Sequence, residues 1–490
     1  MNLKTILSGL ENLRVKGNLD LDIPNIENNS QNVKPGDLFV AIRGFKVDGH
    51  EYIKDAIKNG ASAILAQEDV DKKILKEIPE EVTIITHPDT RYALAICACN
   101  FYKNPSKKFK LIGITGTKGK TTTAYMIKKI FEEQGIKTGI IGTIAIYSGE
   151  NKLKDSDRTT PESLELQRIF TQMVNDKCEV VIMEVSSQSL KLSRVAGCDF
   201  DIGVFTNFSE DHISPKEHPD MEDYFNSKMK LFEMCKYAII NIDNIYTSEV
   251  PEMIKNCEVK TYGIDNAANV IAKDITMTNS YVDFRVKING KNERVKVGIP
   301  GRFSVYNALA AICVCQKIGC DAEKVKTALE NVKVEGRSEL VSNKKDLKIM
   351  IDFAHSPESL RSILTSAKSY TRGRVICVFG CGGDRDTSKR AIMGSIAGEL
   401  ADYTIITSDN PRTEDPDKII EQIEEGIKHT NGQYECIADR VKAIEKAIKT
   451  ASKNDLIILA GKGHEPYQEI NGVKHPFDER KIVKDIINKM

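Results

Sequence analysis

The chain has 490 residues, 29% of them charged and 41% hydrophobic, and at the usual domain size of about 100 to 200 residues this length predicts about three domains. Lys plus Arg and Asp plus Glu number 70 each, so the formal net charge is zero and nucleic acid, which needs a basic surface, is not expected as a partner. No apolar run approaches the roughly 18 residues of a membrane helix, and no secretory signal is seen, so a cytoplasmic protein without membrane insertion is expected.

Strand-like runs alternate with amphipathic helical patterns along most of the chain, which predicts an α/β fold with largely parallel sheets. The first segment contains the strand-like runs Asp37–Ile42 and Ser62–Ala66, and it ends at the basic, Pro-containing stretch Lys103–Lys108, interpreted as a linker. The second segment begins with the buried-type strand Lys110–Ile114. The predicted domains are 1–105, 106–333 and 334–490.

The twelve cysteines lie mostly inside apolar runs, and no Cys-x-x-Cys spacing occurs. A chain of this size needs no disulfides to fold, so the cysteines are interpreted as reduced thiols in the core, with structural zinc or disulfides as the alternative.

A glycine-rich loop, Thr115–Thr123, follows the strand that ends at Ile114 and precedes the helical pattern Ala124–Phe131. Such a loop turns backbone N–H groups toward a polyphosphate at a helix N-terminus, while Lys120 supplies a positive charge and the Thr121 hydroxyl can bind magnesium. The general motif has glycine where Ile114 stands, and here the first glycine comes two residues later. The alternative is a Gly/Lys-rich turn without a ligand, which the strand and helix on either side disfavour.

Two further strands are predicted to end in groups that could bind a metal. The strand in Val180–Ser187 delivers Glu184, and a nucleotide-bound magnesium needs such an oxygen ligand. The strand in Phe200–Asn207 is followed by Asp211-His212. His212 is either a second metal ligand or a neighbour of a helix cap, and the sequence leaves both open.

These motifs extend through nearly the whole chain. They are Thr115-Gly116-Thr117, Gly119-Lys120-Thr121, Glu184-Val185-Ser186-Ser187, Asp211-His212, Tyr224 with Lys228, Leu231 and Phe232, Gly336-Arg337, Asp352 to Pro357, Gly380 to Asp386, Ser408 to Arg412, and Gly461 to Glu465. Together they resemble the Mur ligase family of ATP-dependent enzymes that form amide bonds, and the shifted glycine is that family's own form.

The resemblance implies a small N-terminal α/β domain that binds a UDP-sugar, a central ATP-binding domain with a parallel sheet, and a Rossmann-like C-terminal domain that binds an amino acid. The last three motifs are similar to those of members that add the third amino acid to UDP-N-acetylmuramoyl-L-alanyl-D-glutamate in peptidoglycan synthesis. In that reaction ATP phosphorylates the D-glutamate carboxylate, and an amine attacks the acyl phosphate. A monomer is expected from the same resemblance.

By the same resemblance ATP is a substrate and two magnesium ions assist. One ion is implied near Thr121 and Glu184, and the other is implied to be held by His212 and a carbamylated Lys228. Lys120, His212 and Lys228 are the implied catalytic residues. The implied ATP contacts are Gly116, Thr117, Lys118, Gly119, Lys120, Thr121, Thr122, Asn307, Arg337 and His355. His355 as an ordinary loop histidine and Lys228 as an ordinary helix lysine are the alternatives.

In the third segment, apolar strands end in polar loops, where ligands of parallel sheets bind. The implied contacts of the amino acid are Arg385, Asp409, Asn410, Pro411, Arg412, Gly461 and Glu465. Asp409-Asn410-Pro411-Arg412 matches the family's recognition motif for meso-diaminopimelate, so the resemblance implies diaminopimelate as the amino acid, with lysine as the alternative. Arginine binds carboxylates in two-point fashion, which suits the distal carboxylate that diaminopimelate has and L-lysine lacks. In another reading, Arg412 only pairs with Glu414 or Asp415.

The implied UDP-sugar contacts are Ser30, Thr159, Thr160, Ser186 and Arg194. Some neighbours depart from the family pattern, because Arg158 stands where some relatives have Asn, Gln188 replaces a common His, and Ser304 stands where relatives often have Asn. These departures leave open a paralogue with another acceptor and, in a different class, a catalytically silent nucleotide-binding regulator. Folylpolyglutamate synthetase is a further related ligase, which the C-terminal motifs disfavour.

Overall fold

The computed structural model describes residues 1–45, 47–71, 74, 76–214, 217–345 and 347–490. The chain forms two compact units. Unit one comprises residues 1–124 and 135–260, and unit two comprises residues 125–134 and 261–490. The domain boundaries predicted from the sequence, at 105 and 333, stay a prediction.

Unit one begins with an α/β layer. Its strands are β1 (Arg14–Lys16), β2 (Ile26–Glu27), β3 (Leu38–Val40), β4 (Ala63–Gln67) and β5 (Thr83–His87), and its helices are α1 (Leu3–Ile6), α2 (Ile53–Lys58) and α3 (Thr90–Phe101). The strand order is β1-β5-β4-β3-β2, with only β1 antiparallel among these strands of the described chain. Successive residues of β3 and β4 enter different cores, since Leu38 and Leu65 join one cluster and Phe39 and Ile64 the other.

The second sheet of unit one carries the glycine-rich loop. Its elements are β6 (Lys110–Thr115), α4 (Lys120–Gln134), β7 (Thr138–Ile141), β8 (Ala145–Ser148), β9 (Asn151–Asp155), α5 (Ser163–Asn175), β10 (Val180–Glu184), α6 (Ser187–Lys191), β11 (Ile202–Phe205), α7 (Met221–Glu233), β12 (Tyr237–Asn241), α8 (Val250–Met253) and β13 (Glu258–Gly263). The strand order is β13-β12-β11-β6-β10-β7-β8-β9. Strands β11, β6, β10 and β7 pair in parallel, so their carboxyl ends share one edge. Strand β13 and helix α4 run through the boundaries between the units.

The order in this sheet explains the shifted glycine. Ile114 lies inside β6, where it pairs with Glu184 on one side and Val204 on the other, and it is fully buried. The loop therefore begins only after Thr115. The predicted strand ending at Ser187 is shorter in the structure, because β10 ends at Glu184 and Ser187 starts a helix.

Unit two contains an antiparallel sheet that the sequence interpretation missed. Its strands are β15 (Lys273–Met277), β16 (Val282–Ile288) and β17 (Lys291–Val297), and the helices α9 (Arg302–Ile318) and α10 (Ala322–Asn331) follow them. The short strand β14 (Val270–Ile271) precedes this sheet and pairs in parallel with β13. Strands β15, β16 and β17 pair antiparallel in that order. The larger sheets of the described chain are largely parallel, as expected, and this sheet is an antiparallel addition to them.

The remaining sheet of unit two carries the polar loops. Its elements are β18 (Glu339–Leu340), β19 (Lys348–Asp352), α11 (Pro357–Tyr370), β20 (Val375–Phe379), α12 (Lys389–Leu400), β21 (Tyr403–Ile406), α13 (Pro416–Ile427), β22 (Tyr434–Cys436), α14 (Arg440–Thr450), β23 (Leu456–Ala460) and α15 (Glu479–Lys489), with the hairpin β24 (Tyr467–Ile470) and β25 (Val473–Pro476). The order is β18-β19-β23-β20-β21-β22, with β18 antiparallel to β19 and the other pairs parallel. Both faces are apolar, since Cys377 and Phe379 enter one core and Ile376 and Val378 the other.

Ten of the twelve cysteines are buried, which fits the interpretation as core thiols, whereas Cys257 is half-buried and Cys436 is exposed. Within the described ranges, no helix combines the length and the apolar character needed to cross a membrane.

Helices α12 and α13 approach closely at two glycines. A Cβ on Gly426 would lie 1.8 Å from the carbonyl oxygen of Ala391, and one on Gly394 would lie 2.0 Å from that of Ile423.

Replacing Gly426 with alanine is expected to lower the free energy of unfolding by about 1 to 3 kcal/mol, because the backbone carbonyl of Ala391 cannot rotate away from the new methyl group as a side chain could. Denaturant unfolding measures this loss. The exposed neighbour Glu425→Ala is the control, and an equally stable Gly426→Ala protein would contradict the packing argument.

Candidate active site

The glycine-rich loop is built so closely that only glycine fits at its first turn. Gly116 has a φ of +136°, and a Cβ there would lie 2.0 Å from Thr206 Oγ1. The end of β11 holds the loop, since the Thr206 hydroxyl donates to the Lys118 carbonyl at 2.6 Å and the Lys118 N–H donates to Asn207 Oδ1 at 2.8 Å. Lys120 lies across the loop and donates to the Gly116 carbonyl at 2.7 Å. These contacts define the path of the loop backbone.

The carboxylate of Glu184 is fully buried at the end of β10, directly beside the glycine-rich loop. It accepts hydrogen bonds from the Thr121 hydroxyl at 2.9 Å, the Thr143 N–H at 2.9 Å and the Thr143 hydroxyl at 3.0 Å. The structure therefore brings together Thr121 and Glu184, the two groups predicted to serve one magnesium ion. Thr143 was not predicted as a site residue, because it reaches Glu184 only through the pairing of β7 with β10.

Lys228 lies on α7 and is only 1% exposed. Its Nζ lies 4.3 Å from the centroid of the Tyr224 ring. Burial, together with the nearby ammonium of Lys120, holds the pKa of Lys228 well below its usual range. An ordinary helix lysine would be solvated and protonated, so burial favours a special role for this amine.

His212 is half exposed and stands on left-handed backbone, with a φ of +59°. Its Nδ1 lies 2.6 Å from Glu217 Oε2, and this contact lowers the pKa of Glu217. The His212 ring and the Lys228 Nζ both lie against Tyr224, and the centroids of the His212 and Tyr224 rings are 5.9 Å apart. The helix-cap alternative for His212 is wrong, because α7 begins at Met221 and its N-cap is Asp220.

Four of the predicted UDP-sugar residues meet at the end of β10. The Thr160 hydroxyl donates to the Glu184 carbonyl at 2.9 Å and accepts from the Ser186 N–H at 3.1 Å. Arg194 donates to the Thr160 carbonyl at 3.4 Å, and Thr159 Oγ1 lies 3.1 Å from Thr143 Oγ1. Ser30, the fifth, is buried in a short 3-10 helix, where its carbonyl accepts from Asn59 at 2.8 Å.

In unit two, the predicted amino-acid residues follow the carboxyl ends of β20, β21 and β23. Asn410 is central, because its side chain donates to Glu465 at 2.8 Å and accepts from the fully buried Lys462 at 2.9 Å. Burial raises the pKa of Glu465. A Cβ on Gly461 would lie 2.6 Å from Asp409 Oδ2, so glycine is needed for these loops to meet. Arg385 is exposed on the loop after β20.

Arg412 has left-handed backbone with a φ of +53°, and Pro411 precedes it in the same loop. Its guanidinium donates to the Gly383 carbonyl at 2.7 Å and to Glu469 Oε2 at 3.2 Å. The reading in which Arg412 pairs with Glu414 or Asp415 is therefore wrong. Glu414 is paired with Arg390, and Asp415 caps α13.

Arg337 and His355, both predicted ATP contacts, meet at Phe353. The guanidinium carbon of Arg337 lies 4.5 Å from the Phe353 ring centroid, and the His355 ring lies 4.5 Å from it. Asn307, a third predicted contact, is buried in α9. Phe353 was not predicted as a site residue, although it stands inside the Asp352 to Pro357 motif.

Comparisons with known proteins agree over the full chain. Residues 22–102 match the Mur ligase family catalytic domain, 114–315 the Mur ligase middle domain, and 336–463 the Mur ligase glutamate ligase domain. A curated protein of Caldanaerobacter subterraneus subsp. tengcongensis is 50% identical over 488 residues, which make up 99% of this chain and 99% of that protein. The chain belongs to the Mur ligase family.

That relative is named UDP-N-acetylmuramoyl-L-alanyl-D-glutamate--2,6-diaminopimelate ligase. A Clostridium acetobutylicum protein with the same name, numbered 1, is 44% identical over 493 residues and covers 100% of both chains. A solved structure of a ligase of that name aligns with a TM-score of 0.71 and 26% sequence identity, covering 100% of this chain and 99% of that chain. The predicted α/β fold with the three-domain architecture of Mur ligases is confirmed.

One feature of this Mur ligase chain is a group of three guanidiniums around Glu162. Arg194 NH2 lies 3.0 Å from Glu162, Arg91 NH1 lies 3.9 Å from it, and Arg158 pairs with the same carboxylate. Arg194 is 7% exposed, and its Nε has no hydrogen-bond partner among the described residues. Arg91 was missed from the sequence because it comes from α3, far along the chain. The cluster has an excess of positive charge beside Thr160, which suits an anionic ligand.

Proposed function

We propose that this Mur ligase joins meso-2,6-diaminopimelate to UDP-N-acetylmuramoyl-L-alanyl-D-glutamate at the expense of ATP. The observation that carries the proposal is the 50% identity, over 99% of both chains, to a relative named for that reaction. The relationship disfavours folylpolyglutamate synthetase. Peptidoglycan synthesis, a cytoplasmic location, a monomer and domains 1–105, 106–333 and 334–490 form part of the same proposal.

The reaction has two steps. A carboxylate oxygen of the D-glutamate attacks the γ-phosphorus of ATP, the bond from that phosphorus to the bridging oxygen breaks, and ADP leaves. The amine nitrogen of diaminopimelate then attacks the acyl carbon, the bond from carbon to the phosphate oxygen breaks, and phosphate leaves as the amine loses a proton. Negative groups must approach one another in both steps, so positive charge and hydrogen-bond donors are needed.

The glycine-rich loop supplies that environment for the polyphosphate. The backbone N–H groups of Gly119 to Thr122, at the start of α4, are assigned to the phosphate oxygens, whereas those of Thr117 and Lys118 donate to Asn207 and hold the loop. The Lys120 ammonium donates to the Gly116 and Thr117 carbonyls and would turn from them to phosphate oxygens when ATP binds. In unit two we assign Asn307, Arg337 and His355 to the nucleotide as well. Phe353 supports the last two, because its ring packs against both side chains.

Magnesium fits the oxygen donors at Glu184. Mg²⁺ prefers hard oxygen ligands and commonly takes one or two carboxylates together with phosphate oxygens and water. Thr121 and Glu184 supply a hydroxyl and a carboxylate 2.9 Å apart, and the group contains no sulfur ligand. When bound, magnesium would neutralise charge on the transferring phosphoryl group. A second ion is proposed at His212 and Lys228.

Carbamylation of Lys228 is the modification that would turn this amine into an oxygen ligand. The neutral amine attacks the carbon of CO₂, a C–N bond forms, one C=O π pair moves onto oxygen, and the nitrogen releases a proton. Burial favours this step, since a protonated amine has no lone pair for the attack. The resulting carbamate would place a negative charge near the Lys120 ammonium, the neighbour that disfavours a positive charge on Lys228.

The acceptor is assigned to Ser30, Thr159, Thr160, Ser186 and Arg194. The excess positive charge around Glu162 supports an anionic acceptor. The amino acid is assigned to Arg385, to Asp409 through Arg412, to Gly461 and to Glu465. Arg412 would bind the distal carboxylate of diaminopimelate, and Glu465 with Asp409 would face its ammonium group.

The proposed function is tested by phosphate release and product mass with ATP, magnesium and UDP-N-acetylmuramoyl-L-alanyl-D-glutamate, with meso-diaminopimelate and L-lysine in parallel. Turnover with diaminopimelate and little with lysine is expected. A preference for lysine would still support the ligase activity but would contradict the proposed role of Arg412 in specificity. Absence of turnover with both would favour a paralogue with another acceptor or a silent regulator.

Thr143→Val is expected to raise the Mg²⁺ concentration for half-maximal activity about tenfold, because a group that orients a metal ligand typically changes metal affinity by 10-fold to 100-fold. The substitution removes the hydroxyl that donates to Glu184 at 3.0 Å and keeps the side-chain shape. Activity is titrated with Mg²⁺ at saturating ATP. Thr138→Val, which loses a hydroxyl bond to the Ile136 carbonyl at the other end of β7, is the control. An unchanged Mg²⁺ requirement would rule out this role.

A further inference from the structure

Two charged side chains, Arg440 and Glu479, are buried beneath the proposed amino-acid site. They are the first residues of α14 and α15 and are 2% and 1% exposed. Arg440 Nε donates to Glu479 Oε1 at 2.8 Å. The proposed reaction does not use either group.

The guanidinium of Arg440 reaches the ends of two strands at once. Its NH2 donates to the carbonyl of Ala460, the last residue of β23, at 2.9 Å, and its NH1 donates to the carbonyl of Ser408, after β21, at 3.4 Å. The loops that begin there, 408–412 and 461–465, carry most of the proposed contacts of the amino acid. One side chain therefore ties both loops together from below.

Arg440 also lies near the Asp409 carboxylate in the first of these loops. Its NH1 is 4.0 Å from Asp409 Oδ2, which is buried and has no hydrogen-bond partner within the described part of the chain. The same oxygen would be 2.6 Å from a Cβ on Gly461, so the fit between the loops leaves little freedom. A shift of Arg440 would therefore change the position of Asp409 relative to Gly461.

Stability alone does not explain a buried ion pair in apolar surroundings. The neighbouring core contains Ile405, Ala443, Leu459 and Val483. Replacing such a pair by well-packed apolar side chains is often neutral or stabilising, because the charges lose their hydration when they are buried. A planar guanidinium fixes two carbonyls at a set separation, which a lysine ammonium cannot do. The pair therefore contributes a fixed separation between the Ser408 and Ala460 carbonyls.

We propose that Arg440, oriented by Glu479, is a positioning residue that sets the separation of loops 408–412 and 461–465 and so determines the affinity for the incoming amino acid. The inference rests on the proposed function. Arg440 acts through the loops and does not touch the substrate.

The same sheet offers a matched control at its other edge. Arg374 precedes β20 and Asp455 precedes β23, and their side chains pair at 2.7 Å. Arg374 also donates to the Thr450 carbonyl at 2.8 Å. This pair likewise joins chain segments through an arginine fork, but it lies at the amino ends of the strands, away from the polar loops.

The test compares Arg440→Lys and Glu479→Gln with Arg374→Lys in the full chain. With the amino acid that the wild-type enzyme uses, KM for that amino acid is expected to rise on the order of tenfold in Arg440→Lys, in line with other groups that orient site residues. KM for ATP and for the UDP-linked acceptor should stay within about twofold, and Arg374→Lys should leave every KM unchanged. If Arg440→Lys fails to fold, Glu479→Gln provides the test. Its KM for the amino acid is expected to rise roughly threefold, a smaller effect, because the amide oxygen still accepts from Arg440 Nε.

Hydrogen exchange of the backbone amides in loops 408–412 and 461–465 provides a readout that needs no turnover. Faster exchange in both loops is expected for Arg440→Lys and not for Arg374→Lys. The inference would be overturned if Arg440→Lys had unchanged amide exchange in both loops and an unchanged KM for the amino acid. It would also be overturned if Arg440→Lys only lowered the amount of active enzyme while KM for the amino acid stayed at the wild-type value. A wild-type protein that turns over no amino acid would refute the proposed function, and faster loop exchange in Arg440→Lys would still support the tie between the loops.

Discussion

Lys228→Ala is expected to lower the rate of product formation by a factor on the order of 1,000, the largest effect of any single change proposed here. The side chain is buried at 1% exposure beside Tyr224, and its amine is the group proposed to carry the carbamate. Alanine removes the oxygen ligand that would hold the second magnesium ion, whose charge would stabilise the transferring phosphoryl group. Steady-state phosphate release at saturating substrates measures the loss, and a small carboxylate such as acetate is expected to restore part of the rate.

Lys230→Ala is the matched control, because Lys230 is exposed on the same helix. It should retain wild-type activity. Circular dichroism establishes that both variants fold. If folded Lys228→Ala kept activity within about threefold of wild type, or if carboxylates accelerated the control equally, the proposed carbamate would have to be abandoned.

The parts of the site that the sequence predicted are those made from adjacent residues. The glycine-rich loop is a continuous strand, turn and helix, so Gly116, Lys120 and Thr121 could be assigned from order along the chain. Glu184 could be assigned as well, since parallel strands place their carboxyl ends at one edge. The structure adds the contact of Thr121 with Glu184 at 2.9 Å.

The parts that were missed depend on strand order or on distant segments. Thr143 reaches Glu184 because β7 lies next to β10, which spacing along the chain does not reveal. Arg91 reaches Glu162 from another layer of unit one. Glu469 reaches Arg412 because the hairpin β24–β25 lies on the loop, where the Arg412 N–H donates to the Glu469 carbonyl at 3.0 Å.

One omission was not forced by long-range structure. The segment Val282–Ile288 alternates strictly between apolar and polar residues, and its burial alternates in the same way. That period of two is typical of an antiparallel strand with one solvated face. The motif-bearing strands, which are buried on both faces, have continuous apolar runs instead, and those runs predict the largely parallel sheets of the rest of the chain.

Arg412→Ala is expected to raise KM for meso-diaminopimelate about 100-fold, which corresponds to roughly 2.7 kcal/mol of binding free energy. The guanidinium is already fixed by the Gly383 carbonyl at 2.7 Å and by Glu469 at 3.2 Å, so little ordering remains when a carboxylate binds. Its left-handed backbone, with a φ of +53°, is unusual for a residue with a side chain and is retained where the surroundings fix it. Initial rates at varied diaminopimelate measure KM.

The same substitution should leave the slow reaction with L-lysine nearly unchanged, because lysine has no distal carboxylate for Arg412 to bind. Selectivity, the ratio of kcat/KM for the two amino acids, should therefore fall by about the same factor as the affinity for diaminopimelate. Arg412→Lys is expected to recover only part of the loss, since an ammonium cannot donate in two-point fashion. The exposed Arg372→Ala is the control for a general effect of removing charge from unit two. Equal losses with both amino acids would mean that Arg412 supports the loop and does not read the substrate.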